Sequence, residues 1–195
     1  MIFDYSKTSK SENYKLMSSS IIPRPIAWIV TTNDKGVVNV APFSYFTALS
    51  SNPATLIVSI GHKKNADPKD TLKNIRENKK CTVCIAQEEF LDKLHLSSKE
   101  LKESESEAEI FDIPLKRVFE EFPPMIEDVA VAFFCKFYKE IELKDSKTIP
   151  LIVEIKKQFV NDKFIDKDGK IDFNPIARVG RSYKRLGSEM EPPKI

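Results

Sequence analysis

The sequence lacks several features that mark common catalytic and binding classes. Only five glycines and three cysteines occur in 195 residues, and the two histidines are His62 and His95. The glycine-rich phosphate loop, the G-x-G-x-x-G dinucleotide turn, the G-x-S-x-G nucleophile turn and the H-E-x-x-H zinc motif are all missing. The usual signatures of nucleotide-binding domains, serine hydrolases and zinc peptidases are therefore excluded.

An excess of either charge is also absent, as is any long apolar run. The 31 basic and 29 acidic residues give a formal net charge of +2, which argues against a nucleic-acid-binding surface. No run approaches the ~20 apolar residues that cross a bilayer, and residues 1–17 contain no apolar stretch typical of a secretory signal. We expect a cytoplasmic protein with a single domain over residues 1–195.

The three cysteines do not indicate a metal or redox site. Cys81 and Cys84 have C-x-x-C spacing, but the surrounding KCTVCIA is typical of a buried strand. Residues three apart in a strand point to opposite faces, so these thiols cannot share a metal or form a disulfide. Neither histidine is spaced to complete a zinc site. We predict free cysteines in the core and no metal site.

The sequence does contain short β-prone runs that are separated by turn residues. Residues 25–33 and 37–41 flank Asn-Asp-Lys-Gly and predict a hairpin. Further strands are predicted at 54–60, 129–138 and 150–160. In the run at 129–138, alternation places one set of side chains on a single face, namely Val129, Val131, Phe133, Cys135 and Phe137. Together these runs predict a mainly β fold, a small antiparallel barrel with helical insertions.

Two helices are predicted among the strands. The first starts near Asp67, with Asp67 as N-cap and Pro68 at the first helical position, and its Leu72 and Ile75 share one face. The second is EEFLDKLHLSS. An acidic excursion at about 97–127 follows, and its stretch KESESEAEIF (102–111) predicts either a solvated loop or short helix, or a lid over a site.

The start of the first helix is a candidate anion site. Lys63, Lys64 and Lys69 surround it, and Thr71 adds a hydroxyl donor in the first turn. Backbone N–H groups at a helix start lack intrahelical partners and carry the positive end of the helix dipole. This combination can hold a phosphate without a glycine loop. An ordinary surface helix with solvated lysines is the alternative.

Taken in order, these segments resemble the flavin reductase-like family, the FMN-binding split barrels that include flavoredoxin and related ferric reductases. The resemblance covers residues 18–187 and rests on PRPIAWIVTTNDKGVVNVAPFSYF, SSNPATLIVSI, KDTLKNIREN, LHLSS and PIARVGRSYKRLG. It implies a Greek-key split barrel, a homodimer and FMN near the subunit interface. A planar, neutral flavin ring needs ordered backbone rather than acids and bases, and the proline-rich, uncharged stretch at 18–46 suits that need.

The function implied is an FMN-dependent oxidoreductase. NADH, NADPH or a protein donor would reduce bound FMN, and ferric iron, free flavin or a partner protein would accept the electrons. Two alternatives stay open: an electron carrier with little nicotinamide activity, and a split-barrel binding or sensor module without flavin chemistry. Neither nucleic acid nor membrane is expected as a partner.

The resemblance also implies cofactor-binding residues. The N-x-A-P-F-S segment that runs along the flavin corresponds to Asn39, Ala41, Pro42, Phe43 and Ser44. The end of the following strand corresponds to Ser59, Ile60 and Gly61, and the K-D-T phosphate end to Lys69, Asp70 and Thr71.

Three further residues have two interpretations each. Arg24 reaches the phosphate or ribityl chain, or is a surface arginine after a proline turn. Trp28 packs against the ring or in the core, and Tyr183 flanks the flavin or covers the dimer interface. One departure from the family pattern is Cys84, which stands where relatives often have an asparagine that could bond the cofactor or a neighbouring loop.

Overall fold

Seven strands form one antiparallel sheet in the computed structural model, which describes residues 1–190, 192 and 193. The strands in chain order are β1 (Ala27–Thr32), β2 (Val38–Phe43), β3 (Phe46–Ser51), β4 (Ala54–Gly61), β5 (Lys80–Ile85), β6 (Leu115–Lys116), β7 (Met125–Ile126), β8 (Val131–Glu140), β9 (Thr148–Val160), β10 (Ala177–Val179) and β11 (Ser182–Lys184). The helices are α1 (Lys10–Ser20), α2 (Asp70–Asn78), α3 (Leu91–Leu96) and α4 (Glu107–Ile110). The large sheet has the order β2-β1-β5-β8-β9-β4-β3, while β6-β7 and β10-β11 form separate pairs.

Only two residues join the two edge strands of this sheet. Strands β2 and β3 lie at opposite ends of the strand order, yet β2 ends at Phe43 and β3 begins at Phe46. Two residues span only ~7 Å, so the sheet has to curl until its edges come together. The predicted mainly β, antiparallel barrel is confirmed, and Ser44 and Tyr45 lie at its seam.

The sheet carries a core on each face because alternate side chains point to opposite sides. The inner core joins strands from both ends of the sheet and is closed by α2; its fully buried members include Ala27, Ile29, Ile60, Leu72, Ile75, Cys81, Cys135 and Leu151. The outer core lies under α3, α4 and the chain at 111–126; it includes Trp28, Val30, Cys84, Leu94, Met125, Ile126, Val129 and Phe134.

The prediction of free cysteines in the core is confirmed. All three cysteines are free and buried, and Cys81 and Cys84 lie in the inner and outer cores respectively. The Sγ atom of Cys84 accepts a hydrogen bond from the Ile126 N–H at 3.5 Å, and burial raises the pKa of this thiol to about 12. Cys84 therefore bonds the neighbouring strand β7 and lines neither of the two clefts described below.

The first predicted helix begins later than the sequence suggested. Lys63 N–H donates to the Asp67 carbonyl, and Pro68 forms a β-bridge with His62. This small turn keeps residues 67 and 68 extended, so α2 starts at Asp70 with Lys69 as N-cap. The choice of Asp67 as N-cap was wrong, although Leu72 and Ile75 are both fully buried on the predicted face.

Two other predictions need correction or refinement. In β8, Phe133, Cys135 and Phe137 face the inner core as expected, but Val129 precedes the strand and packs in the outer core. In the acidic stretch at 102–111, a short helix does form, yet Ser106, Glu107 and Ala108 are buried rather than solvated. No helix among the described residues has the length and apolar character that crossing a membrane requires.

Candidate functional site

A cleft opens beside the seam, between β2 and the start of α2. We call it the lysine cleft. Its lining from β2, the turn after β4 and α2 consists of Asn39, Ala41, Pro42, Lys63, Lys69, Asp70 and Thr71. Its opposite wall, from the chain after α3 and from α4, consists of Ser97, Ser98, Lys99, Glu100, Leu101 and Glu107.

A second cleft, the tyrosine cleft, adjoins the first. It is lined by Tyr14, Ile26, Pro42, Ser44, Leu94, His95, Ser98, Arg178 and Tyr183. Pro42 and Ser98 line both clefts. The two clefts therefore adjoin along the seam, and we call them together the groove; its two ends differ in chemistry.

The end at α2 is rich in hydrogen-bond donors. Helix α2 has no side-chain cap, and its first intrahelical backbone bond is donated by Lys73 to the Lys69 carbonyl. The N–H groups of Asp70, Thr71 and Leu72 precede that bond and lack intrahelical acceptors. They add to the positive end of the helix dipole at the floor of the lysine cleft.

A buried polar network orients the Thr71 hydroxyl. Asn39 Nδ2 donates to Thr71 Oγ1 at 2.9 Å and to Thr31 Oγ1 at 3.3 Å, while Asn74 Nδ2 donates to Thr31 Oγ1 at 3.0 Å. Since Thr71 Oγ1 already accepts from Asn39, its own hydrogen is available to donate elsewhere. Thr71 lines the cleft, so this hydrogen adds one more donor beside the helix start.

The charges in the lysine cleft are balanced. Three lysines and three carboxylate residues line it: Lys63, Lys69, Lys99, Asp70, Glu100 and Glu107. Lys63 Nζ lies 2.6 Å from Asp70 Oδ1, and both side chains are 15% exposed. An ammonium has three donors, so Lys63 can bind an incoming anion while keeping Asp70.

Glu107 ties the acidic segment to the edge of the sheet. Its Oε2 accepts a hydrogen bond from the Val40 N–H at 2.9 Å, and Ser106 Oγ donates to the Val38 carbonyl at 2.7 Å. Both contacts satisfy unpaired groups of edge strand β2. Burial raises the pKa of the Glu107 carboxyl; Asp70 adds to the rise and Lys63 opposes it. Of residues 102–111, Glu107 lines the cleft.

The tyrosine cleft combines aromatic and basic groups. His95 Nδ1 lies 3.1 Å from the Tyr183 hydroxyl, with the two rings edge to face. The Arg178 guanidinium lies over the Tyr183 ring at 4.5 Å from its centroid. Arg178 and Tyr183 are cross-strand partners in the β10-β11 hairpin, whose turn uses Gly180 at φ +53°.

Eight of the predicted site residues line the groove: Asn39, Ala41, Pro42, Ser44, Lys69, Asp70, Thr71 and Tyr183. The other six do not line it. Phe43 and Ile60 are buried in the inner core, and Ser59 and Gly61 lie at the end of β4. Ser59 and Gly61 precede Lys63 by four and two residues. Strand β4 therefore positions Lys63 in the cleft, although Ser59 and Gly61 do not line it.

Trp28 and Arg24 have structural roles. Trp28 is fully buried, and its Nε1 donates to Ser97 Oγ at 2.9 Å; it is a core residue that anchors the chain lining the lysine cleft. Arg24 is 5% exposed and donates to the carbonyls of Ser18, Ile21 and Gly180. The interpretation of Arg24 as a surface arginine is wrong, because its guanidinium is buried against carbonyls at the end of α1 and in the turn between β10 and β11.

Several groove residues were not among the predicted set. Lys63 was noted near the helix start, but Ser97–Leu101, Glu107, His95 and Arg178 come from segments distant in sequence. For Glu107 no local pattern separates it from its acidic neighbours. LHLSS and PIARVGRSYKRLG were part of the family resemblance, and those motifs were the only signal for His95, Ser98 and Arg178.

The chain is similar in sequence to a known protein family and to several of its relatives. Residues 17–170 match the family described as flavin reductase like domain. Uncharacterised proteins of Aquifex aeolicus and Bacillus subtilis are 29% and 30% identical, over 94% and 96% of both chains.

Similar solved structures have the same fold. Nitrilotriacetate monooxygenase component B from Bacillus cereus has a TM-score of 0.92 and 28% identity over 98% of both chains. The 2-nitrobenzoate 2-nitroreductase of Pseudomonas fluorescens has a TM-score of 0.89 and 26% identity, covering 100% of this chain and 96% of its own. Flavoredoxin of Desulfovibrio vulgaris, at 19% identity and a TM-score of 0.76 over 88% of this chain and 91% of its own, shares the split-barrel fold.

Replacing Glu107 by glutamine is expected to raise the melting temperature at neutral and higher pH. The pKa of Glu107 is raised on folding, so its ionised form costs folding free energy above the folded pKa, and that cost vanishes as the pH falls below the unfolded value. E107Q keeps an acceptor for Val40 without the charge. The gain over wild type should shrink toward acidic pH in thermal melts from pH 4 to 9.

Glu109 on the same helix is exposed and provides the matched control, since E109Q should show no such trend. A gain for E107Q that is equal at all pH values, or a loss, would contradict the burial of a costly carboxylate.

Proposed function

Because the chain belongs to the flavin reductase-like family, we propose that it is an FMN-dependent oxidoreductase. Electrons or hydride pass from NADH, NADPH or a protein donor, by way of bound FMN, to an acceptor such as ferric iron, free flavin or a partner protein. The likeness to a monooxygenase component and to a nitroreductase supports redox chemistry of this general kind.

The residues of the groove fit this cofactor. FMN has a dianionic phosphate at one end and a planar, uncharged ring at the other. The lysine cleft provides the donors a phosphate needs: the uncapped start of α2, the Thr71 hydroxyl, and the ammonium groups of Lys63 and Lys69. This concentration of donors beside the seam is the observation that carries the proposal.

The seam suits the other end of the cofactor. Ala41, Pro42 and Ser44 offer uncharged backbone and small side chains along the floor of the groove. When bound, FMN supplies hydride or electron transfer at its ring, and the protein supplies binding and orientation. The roles of this chain are to hold the phosphate at α2, to align the ring along the seam and to leave one face open toward the tyrosine cleft.

The first test is anaerobic reduction of the flavin-loaded protein. We expect purified protein to retain FMN after desalting, and its visible flavin absorbance to fall when NADH or NADPH is added without oxygen. If the protein retains flavin that neither NADH nor NADPH reduces, the electron-carrier alternative would be supported. A protein that holds no FMN would contradict the proposed function and leave a binding module.

Loss of Lys63 should weaken FMN binding far more than riboflavin binding. Hydrogen bonds to charged groups are worth ~1.5–3 kcal/mol, or roughly 10–100-fold in affinity, and K63A also leaves Asp70 without its partner. Riboflavin lacks the phosphate, so its affinity should be unchanged. Flavin fluorescence titrations measure both. The neighbouring, exposed Lys64 does not line the cleft, and K64A is the control. Equal losses for both flavins would rule out a phosphate at this position.

We also propose a homodimer that uses the N-terminal region. Large apolar side chains are exposed around α1: Phe3, Tyr5, Met17, Ile21 and Ile22. A cluster of this kind is typical of an interaction surface, and Tyr14 of the same helix lines the tyrosine cleft. Sedimentation of the FMN-loaded protein should give twice the 22.3 kDa chain mass. A single-chain mass at micromolar concentration would contradict the dimer.

A further inference from the structure

Arg178 is a cation in a cleft without a carboxylate to balance it. Its side chain is half-buried, and it makes no ion pair with any of the residues that the structure describes. Other arginines are engaged: Arg76 binds Glu140 through two nitrogens, and Arg185 binds Glu88. No aspartate or glutamate is among the residues that line the tyrosine cleft.

The guanidinium is held in place by its surroundings. Arg178 exchanges two backbone hydrogen bonds with Arg24, at 2.9 and 3.0 Å, and Arg24 is itself buried. The Arg178 guanidinium stacks over the Tyr183 ring of the facing strand. Little side-chain freedom is left to lose when an anion binds, which increases the affinity such a contact provides.

The other residues that line the tyrosine cleft include several that can pack against a planar, apolar ligand. Ile26, Pro42 and Leu94 are apolar, and Tyr14 and Tyr183 present aromatic surfaces. Polar groups also line the cleft: the hydroxyls of the two serines and two tyrosines, the Arg178 guanidinium, and the imidazole of His95, which is already bonded to Tyr183. Apolar and aromatic walls beside one cation favour a planar ligand with a single negative group.

We propose that the tyrosine cleft binds a planar aromatic carboxylate as the small-molecule substrate of the flavin-loaded protein. The carboxylate pairs with the Arg178 guanidinium, which matches its geometry through two parallel hydrogen bonds. The aromatic ring lies between Pro42 and the tyrosines. This rests on the proposed function because Pro42 and Ser98 are shared with the lysine cleft, so the ligand lies next to the bound flavin.

Binding of benzoate and of its neutral analogue benzamide tests the assignment. Both are titrated by calorimetry into the full chain, with and without FMN. We expect benzoate to bind about 10-fold more tightly than benzamide, as a charged hydrogen-bonded pair implies. In R178A the benzoate affinity should fall to the level of benzamide, while benzamide affinity and retained FMN absorbance stay unchanged. R178K should recover part of the difference, since it keeps the charge but not the planar fork.

Lys144 lies exposed between β8 and β9, and K144A controls for the loss of one positive charge. Equal affinity for benzoate and benzamide in the wild type would overturn the proposal, as would a benzoate preference that survives in R178A. Loss of FMN from R178A would also overturn it, because Arg178 would then be a flavin ligand. If the wild type holds no FMN, the proposed function fails, while titration of the flavin-free chain still tests Arg178.

Discussion

The two-residue link between β2 and β3 is the constraint on which the rest of the structure depends. It connects the first and last strands of a seven-stranded order, so the sheet has no alternative to curling. Curling turns one face inward, where α2 closes the inner core with Leu72 and Ile75. It also leaves a seam at Ser44 and Tyr45. The groove lies along this seam, where Pro42 and Ser44 line it.

The groove has different chemistry at its two ends because different elements reach it. At one end α2 contributes its N-terminus, and the network through Thr31, Asn39 and Asn74 directs the Thr71 hydroxyl. At the other end the β10-β11 hairpin contributes Arg178 and Tyr183. In the proposed arrangement, a flavin nucleotide has its phosphate at the α2 end and its ring along Pro42, and the end at Arg178 and Tyr183 stays open to a second ligand.

Local patterns predicted much of this fold, and long-range contacts explain the errors. The turn at Asn33–Gly36 and the two-residue period of the strand at KCTVCIA need only neighbouring residues, so the hairpin and the opposite burial of Cys81 and Cys84 were predictable. The start of α2 was misplaced because the bridge between His62 and Pro68 overrides the local capping signal. The burial of Arg24 and of Glu107 was not predicted for a similar reason: their partners are main-chain groups brought together only by the folded chain.

A crystal structure of the protein grown with FMN would show whether α2 holds the phosphate. We expect the phosphate at the N-terminus of α2, within hydrogen-bond distance of the Thr71 hydroxyl and the Lys63 ammonium, with the ring along Pro42 at the seam. A flavin bound with its phosphate near Arg178, or outside the groove altogether, would contradict the assignment of both clefts.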